Sequence, residues 1–189
     1  MWVFLVQEIM FFSGLFLTYA AYRYAHAGAF AHASHHLDVT LGTINTVVLI
    51  GSSLTMALAV HSAQMGQRRP LVTFLFLTLV LGSVFLAIKS VEYGHKFEEG
   101  LIPGPWFMPT DPDAAEQQLF FSLYFAMTGM HALHMIIGAV ALIYLIVKSA
   151  AGRYTSAYYT PIEMFGLYWH FVDIVWIFLF PLLYLFARH

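Results

Sequence analysis

The sequence predicts an all-α membrane protein, a bundle of five transmembrane helices. Of its 189 residues, 60% are hydrophobic and only 10% are charged, whereas an ordinary soluble domain has about 25% charged residues. Mean hydropathy is +0.75. Five apolar runs are each long enough to cross the hydrocarbon core of a bilayer, which takes about 20 helical residues. The runs are continuous and lack the period-2 alternation of barrel strands. We therefore expect one helical domain covering residues 1–189.

The five helices are predicted near residues 2–24, 42–64, 71–95, 119–149 and 163–187. Residues 25–41 form an Ala- and His-rich connection. Residues 65–70 form a turn so short that the second and third helices must be an antiparallel hairpin. Residues 96–118 form the longest loop, which is acidic, and residues 150–162 contain several tyrosines.

The distribution of basic residues predicts the orientation in the membrane. With five helices, one side of the bundle carries Arg68, Arg69, Lys148 and Arg153. The acidic 96–118 loop lies on the opposite side. Because cytoplasmic loops carry an excess of Lys and Arg, the amino terminus is expected in the cytoplasm and the carboxyl terminus outside.

Composition also excludes several classes of function. The formal net charge is −2, and no Lys/Arg-rich stripe is available to neutralise phosphates, so no nucleic-acid partner is expected. The chain has no cysteine, which rules out disulfides, thiolate metal sites and cysteine nucleophiles.

The last helix carries polar groups deep inside an apolar run. Trp169, His170 and Asp173 lie within one helical turn of one another, so their polar atoms share a face. An ionisable group at that depth costs about 2.5–3.5 kcal/mol on insertion scales. We expect this face to dock against protein, and we expect Asp173→Leu to weaken the bundle more than Glu8→Gln.

Glu8 interrupts the first apolar run. It is either a neutral acid bonded to a neighbouring helix or a protonatable group at a protein boundary. Lys89, Glu92 and Lys96 form a ladder on one face of the third helix. A structural role is favoured for the ladder, and a contact surface for a partner subunit or a lipid head group is the alternative.

Four histidines lie on three predicted helices: His61, His131, His134 and His170. Neutral imidazoles on different helices could bind a b-type haem or a metal ion. Since no pair lies at corresponding depth, hydrogen bonding between helices is favoured. The predicted buried polar network comprises His61, Glu92, His131, His134, Trp169, His170 and Asp173.

Five segments of the chain form a recognisable set: YWHFVDIVW at 168–176, the TG-x-H-x-x-H run at 128–134, the K-x-x-E-Y segment at 89–93, the buried-acid segment QEIMFF at 7–12, and the basic turn at 61–68. In their order and spacing along the chain they resemble subunit III of the haem-copper terminal oxidases. The best-known members have seven helices, and this chain resembles the last five, a form that also exists in bacteria.

The resemblance implies an accessory subunit with no catalytic residue and no redox cofactor or metal of its own. The haems and copper would lie in partner subunits, and only the whole complex would reduce dioxygen and translocate protons. This chain would stabilise subunit I, support proton uptake and border a lipid-lined oxygen path, with Glu8 as the membrane carboxylate near that path. Head groups of bound phospholipids would contact Arg68, Arg69, Lys148 and Arg153.

The implied setting is the bacterial inner membrane. The implied partners are subunit I directly, subunit II, small subunits and phospholipids, with a respiratory supercomplex as a further setting. Two alternative identities come from the same superfamily: a quinol oxidase subunit and an accessory chain of nitric oxide reductase. Two others come from different classes of protein: a b-type cytochrome and a small transporter that relays protons.

Overall fold

The computed structural model describes residues 1–35, 37–104, 107 and 113–185, and the regular elements in these ranges are helical. They are α1 (Trp2–Ala25), α2 (Ala27–Ser34), α3 (Val39–Gln64), α4 (Arg68–Glu98), α5 (Ala114–Ala150), α6 (Thr160–Phe180) and a π-helical segment, Pro181–Leu185. Five of them are long and apolar enough to span a membrane: α1, α3, α4, α5, and α6 with its π-helical extension. The predicted fold class is confirmed.

The short helix α2 lies in the segment that the sequence analysis treated as a connection. Alanine has the highest helix propensity, and α2 is AGAFAHAS. Phe30 anchors it, with its ring centroid 5.4 Å from that of Phe120 in α5 and 5.5 Å from that of Tyr19 in α1. The packing of Phe30 and the high helix propensity of the alanines therefore account for the helical structure of α2.

The helix ends extend beyond the apolar runs. Helix α4 begins at Arg68, three residues before the predicted start, because Pro70 is tolerated in the first turn, where its missing N–H leaves no helical bond unmade. Helix α6 gives way to the π-helical segment at Pro181, whose nitrogen cannot donate the next helical bond. Of the predicted fifth segment, residues 186–187 lie outside the described part of the chain.

Helix α6 lies at the centre of the packing. Its Trp169 ring fits between α4 and α5, where a Cβ added to Gly82 or Gly138 would come within 3.0 Å of it. On another side, Gly166 allows Val60 of α3 to approach α6 closely. Helix α1, by contrast, exposes most of its side chains at the edge of the bundle.

One end of the bundle contains the 65–67 turn and the 151–159 segment. A Cβ on Gly66 would lie 3.5 Å from Ser156, and one on Gly152 would lie 3.4 Å from the Arg68 guanidinium. Gly66 has φ +68°, a left-handed conformation that favours glycine and closes the tight turn between α3 and α4. The four predicted basic residues, Arg68, Arg69, Lys148 and Arg153, thus share one end of the bundle, the basic end. Which side of the membrane it faces stays a prediction.

Candidate functional site

Helices α1 and α5 bring Glu8 and His134 together. Oε2 of Glu8 lies 3.1 Å from Nε2 of His134, although 126 residues separate them. The Glu8 side chain is 15% exposed and the His134 side chain is 10% exposed. The pair therefore lies at the margin of the bundle, mostly shielded from its surroundings.

The hydrogen bond of the other ring nitrogen of His134 determines how many protons lie between Glu8 and His134. Nδ1 lies 2.8 Å from the Met130 carbonyl oxygen, which can only accept, so Nδ1 carries a proton and donates. Nε2 can then be bare and accept from a protonated Glu8 carboxyl, or protonated and donate to a Glu8 carboxylate. Either arrangement places one proton between the two side chains.

Aromatic rings enclose the pair. The Phe12 ring centroid lies 5.5 Å from that of His134 and 6.3 Å from that of Phe171. The Tyr168 hydroxyl donates to the His134 carbonyl oxygen at 2.9 Å, which fixes α5 against α6 at the same level. These contacts hold the imidazole in one orientation.

A second polar cluster is buried between α4, α5 and the π-helical segment. Nζ of Lys89 lies 3.0 Å from Oε2 of Glu92, 3.1 Å from the Tyr124 hydroxyl and 2.8 Å from the Tyr184 hydroxyl. The Tyr124 hydroxyl donates to Oε1 of Glu92 at 2.9 Å, and the Tyr184 hydroxyl donates to the same oxygen. All three ammonium donors and both carboxylate oxygens are thus used, which is what a buried ion pair requires.

The Trp176 ring adds to this cluster, with its centroid 5.0 Å from Nζ of Lys89. Such a contact between a cation and an aromatic face is attractive in a site with little water. The Lys89–Glu92 pair therefore lies inside the bundle, as the structural interpretation of the ladder requires. It does not form an external contact surface.

The polar groups of α6 bond mainly to α3 and α5. Nε1 of Trp169 donates to Oγ of Ser52 at 3.1 Å, and Nδ1 of His170 lies 2.8 Å from Oγ of Ser53. His131 donates from Nε2 to the Val172 carbonyl oxygen at 3.1 Å. The predicted polar residues on these helices therefore form separate interhelical bonds at several levels and do not make one connected site.

Asp173 differs from its neighbours. Its side chain is buried, with the residue 4% exposed. Neither carboxyl oxygen has a hydrogen-bond partner within 3.5 Å among the described residues, and the Ser53 hydroxyl is close enough to interact with the carboxyl group. Together with Ser53 and His170 it lines a groove between α3 and α6.

His61 lies apart from these contacts. It is exposed in the last turn of α3, near the helix end where a polar side chain can leave the apolar interior. The prediction that it joins a buried network is corrected on this point. His131, His134 and His170 each make at least one hydrogen bond to a protein group. No cluster of three or more His, Asp or Glu side chains with metal-binding geometry occurs in the described part of the chain.

The basic end carries two depressions. Arg68 and Arg69 line one with Thr73, and Lys148 and Arg153 line the other with Tyr154 and two further tyrosines. Burial raises the pKa of the Tyr154 phenol, so its hydroxyl stays a neutral donor at neutral pH. Exposed cations beside hydroxyl donors suit the phosphate of a lipid head group.

Sequence reasoning missed four residues that complete the buried contacts: Ser52, Ser53, Tyr124 and Tyr184. The serines are adjacent and small, and nothing in a single sequence distinguishes them from packing residues. Tyr124 lies one turn before Thr128, so the helical spacing was a usable signal. Tyr184 follows Pro181 near the carboxyl terminus, where its return to the core depends on the π-helical segment.

Comparison with known proteins identifies the family of this chain. The family model described as cytochrome c oxidase subunit III matches residues 1–188. The chain belongs to the cytochrome c oxidase subunit III family. The resemblance read from the five sequence segments is confirmed.

Relatives in this family come from distant organisms. The cytochrome c oxidase subunit 3 of Corynebacterium diphtheriae is 34% identical over 184 residues, which cover 96% of this chain and 84% of the relative. A probable cytochrome c oxidase subunit 3 of Mycobacterium leprae is 36% identical over 182 residues, with the same coverage. The subunit 3 of Latimeria chalumnae is 31% identical over 188 residues, or 96% of this chain and 66% of the relative. A subunit III of a haem-copper oxidase, embedded in a membrane by several spans, is the identity that these matches support.

Proposed function

We propose that this chain is the accessory subunit of a proton-pumping cytochrome c oxidase, that it stabilises the catalytic subunit I, and that it supports proton uptake. The observation that carries the proposal is the Glu8–His134 pair. It retains one proton in an apolar, aromatic surrounding at the margin of the bundle. With one proton the pair is electrically neutral. Gain or loss of a proton would leave a single charge on two side chains that are 10% and 15% exposed, so most of that charge would be shielded from lipid.

An apolar groove between α1 and α6 supports a role in oxygen delivery. Its volume is about 530 Å³, and its lining includes Leu5, Ile9 and Phe12 on α1 and Phe171 and Phe178 on α6. Dioxygen is apolar, and such a groove offers it space beside the Glu8 segment. An acyl chain of a bound phospholipid would fit the same lining.

The membrane setting follows from the same residues. If the basic end faces the cytoplasm, as the positive-inside rule requires, the amino terminus is cytoplasmic and the carboxyl terminus external. Anionic phospholipids would bind at Arg68, Arg69, Lys148 and Arg153. The bacterial relatives support the bacterial inner membrane as the location. Subunit II, small subunits and a respiratory supercomplex complete the proposed setting, with the haems and copper held by partner subunits.

Among the superfamily members, the cytochrome c oxidase is favoured over a quinol oxidase or a nitric oxide reductase. The similar relatives named above all carry the name cytochrome c oxidase subunit 3. The electron donor of this complex is therefore proposed to be a cytochrome c.

Purification from native membranes tests the proposal. A tag on this chain, mild detergent and a reduced-minus-oxidised spectrum should recover haem together with a large polytopic partner. Both should be lost when the chain is separated from the complex. A stoichiometric haem that stays with the separated chain would overturn the proposal and make its histidines ligands.

A further inference from the structure

The short helix α2 lies in a histidine-rich stretch of the chain. Four of the ten histidines fall within residues 26–36, and short histidine-rich tracts are typical of metal binding. Phe30 and Ala33 are buried and hold α2 against the bundle, whereas the His32 side chain is 72% exposed. The interhelical bonds described above use none of the histidines in this stretch, so their chemistry is available to a ligand.

His32 lies beside Asp113, the N-cap residue of α5. Nδ1 of His32 is 3.9 Å from Oδ2 of Asp113, too far for a hydrogen bond. An exposed ion pair at this distance contributes little to stability. The Asp113 carboxylate also makes no capping bond to the first turn of α5. Two groups that commonly bind metal ions are thus held close together without a hydrogen bond between them.

An ion of the size of Zn²⁺ fits between these two atoms. Bonds from Zn²⁺ to an imidazole nitrogen or a carboxylate oxygen are about 2.0–2.2 Å long. Two such ligands are about 3.4 Å apart at a tetrahedral angle, and at most about 4.2 Å apart on opposite sides of the ion. The observed 3.9 Å lies within this range. A shift of about half an ångström in two exposed side chains gives the tetrahedral arrangement.

His35 supplies a third ligand. It continues the helical backbone of α2, with φ −64° and ψ −22°, and its side chain is exposed. Residues three apart on a helix have Cβ atoms about 5–6 Å apart, so the imidazoles of His32 and His35 can reach one ion. The described part of the chain holds no preformed cluster of three ligands, so His35 joins by side-chain rotation. Water completes the coordination of an exposed site of this kind.

The donor atoms select the class of ion. Imidazole nitrogen suits Zn²⁺ and Cu²⁺, whereas Ca²⁺ and Mg²⁺ take oxygen ligands. We propose that His32, His35 and Asp113 bind a divalent transition-metal ion of the Zn²⁺ or Cu²⁺ class at the end of the bundle opposite the basic end. The ion links α2 to the start of α5 and fixes the connection between α1 and α3 in place. The inference is independent of the proposed function, since every protein ligand belongs to this chain.

Calorimetric titration with Zn²⁺ tests the site in the complex purified through a tag on this chain. Loss of a group that only supports a metal ligand costs about 10–100-fold in affinity. We therefore expect His32→Ala and Asp113→Asn each to weaken one binding event at least tenfold. Both side chains are substantially exposed, so the amount of complex recovered should be unchanged. His61→Ala removes an exposed histidine at the basic end and should leave that event unchanged.

Copper-directed oxidation maps the ligands. Bound Cu²⁺ with ascorbate and hydrogen peroxide generates oxidants at the ion, which add oxygen to the imidazoles nearest to it. Peptide mass spectrometry should find this oxidation at His32 and His35, and far less at His61 in the same sample. Asp113→Asn should reduce the oxidation at both α2 positions, because the ion is held less tightly.

Unchanged Zn²⁺ affinity in either His32→Ala or Asp113→Asn would overturn the inference. Oxidation at His61 equal to that at His32 would overturn it as well, since copper would then react with any exposed histidine. If the tagged chain brings no partner subunit, the proposed function fails, but the titration and the oxidation map still report on this chain. The two failures are therefore distinguishable.

Discussion

Nζ of Lys89 lies 3.0 Å from Oε2 of Glu92, and each side chain is only 3% exposed. The ammonium group also donates to the hydroxyls of Tyr124 and Tyr184. Because a buried ion pair is stable only when every donor and acceptor is used, this cluster joins α4, α5 and the segment after Pro181 into one unit.

Replacing one partner of this pair should be far more damaging than replacing both. Lys89→Met leaves the Glu92 carboxylate buried without its cation, and we expect a loss of about 3–5 kcal/mol in stability. The double variant Lys89→Met with Glu92→Gln removes both charges and should recover most of that loss. Thermal unfolding of the detergent-solubilised complex, with Glu92→Gln as the second single variant, measures all four proteins of the double-mutant cycle. Additive losses in the double variant would show that the two charges are not coupled.

The close approach of Trp169 to Gly82 gives a second prediction. A Cβ at position 82 would lie 3.0 Å from the indole ring, so Gly82→Ala must displace the ring and strain its bond to Ser52. We expect a loss of about 1–3 kcal/mol, the usual cost of overpacking. The measurement is again unfolding in detergent, together with the fluorescence of the buried indole.

Gly94 on the same helix is the matched control. Nothing lies within 4 Å of its added Cβ, so Gly94→Ala should be neutral or should stabilise α4 by about 0.5–1 kcal/mol. If both alanine variants lost the same stability, the cause would be something other than the contact with Trp169.

The long apolar runs made the five spanning helices predictable from sequence, because spanning a bilayer requires about 20 apolar residues in a row. Helix α2 was missed because it has only eight residues and depends on the anchoring of Phe30 between α1 and α5. Residues such as Glu8, Glu92 and His134 stood out because polar groups in apolar runs are rare. The pairing of Glu8 with His134 could not be predicted, since the two meet only through tertiary packing.

The expectation for Asp173→Leu also changes with the structure. Sequence alone ranked this substitution as more harmful to the bundle than Glu8→Gln. Neither carboxyl oxygen has a hydrogen-bond partner within 3.5 Å among the described residues, so leucine removes only the longer interaction with the Ser53 hydroxyl. Replacing a buried polar group that makes no short hydrogen bond with an apolar one is often nearly neutral, so only a small loss of stability is now expected from this substitution.

The contact between Glu8 and His134 predicts different outcomes for two substitutions. The amide N–H of Glu8→Gln can donate to Nε2 of a neutral His134, so the complex should assemble normally. Glu8→Leu leaves Nε2 without a partner and should cost about 1–3 kcal/mol. Recovery of the intact complex in mild detergent measures both effects. Failure of Glu8→Gln to assemble would mean that the ionised carboxylate is required.

A proton held at this pair should also be visible spectroscopically. If Glu8 is the protonated partner, its carbonyl stretch appears in the infrared spectrum of the complex and disappears in Glu8→Gln. If the stretch is absent before substitution, the proton lies on His134 and the pair is a carboxylate with an imidazolium. Both outcomes retain one proton in the contact, as the bond from Nδ1 to Met130 requires.

The basic end predicts a selective loss of bound lipid. Each cation near the membrane surface contributes about 1 kcal/mol of attraction to anionic lipid, so Arg68→Gln with Arg153→Gln should reduce the affinity of one such site on the order of tenfold. Native mass spectrometry of the complex counts the phospholipids retained as detergent is increased. Arg23→Gln at the far end of the bundle is the control and should leave the count at the basic end unchanged. An equal loss in the control would mean that overall charge, and not the two depressions beside Arg68 and Arg153, holds the lipid.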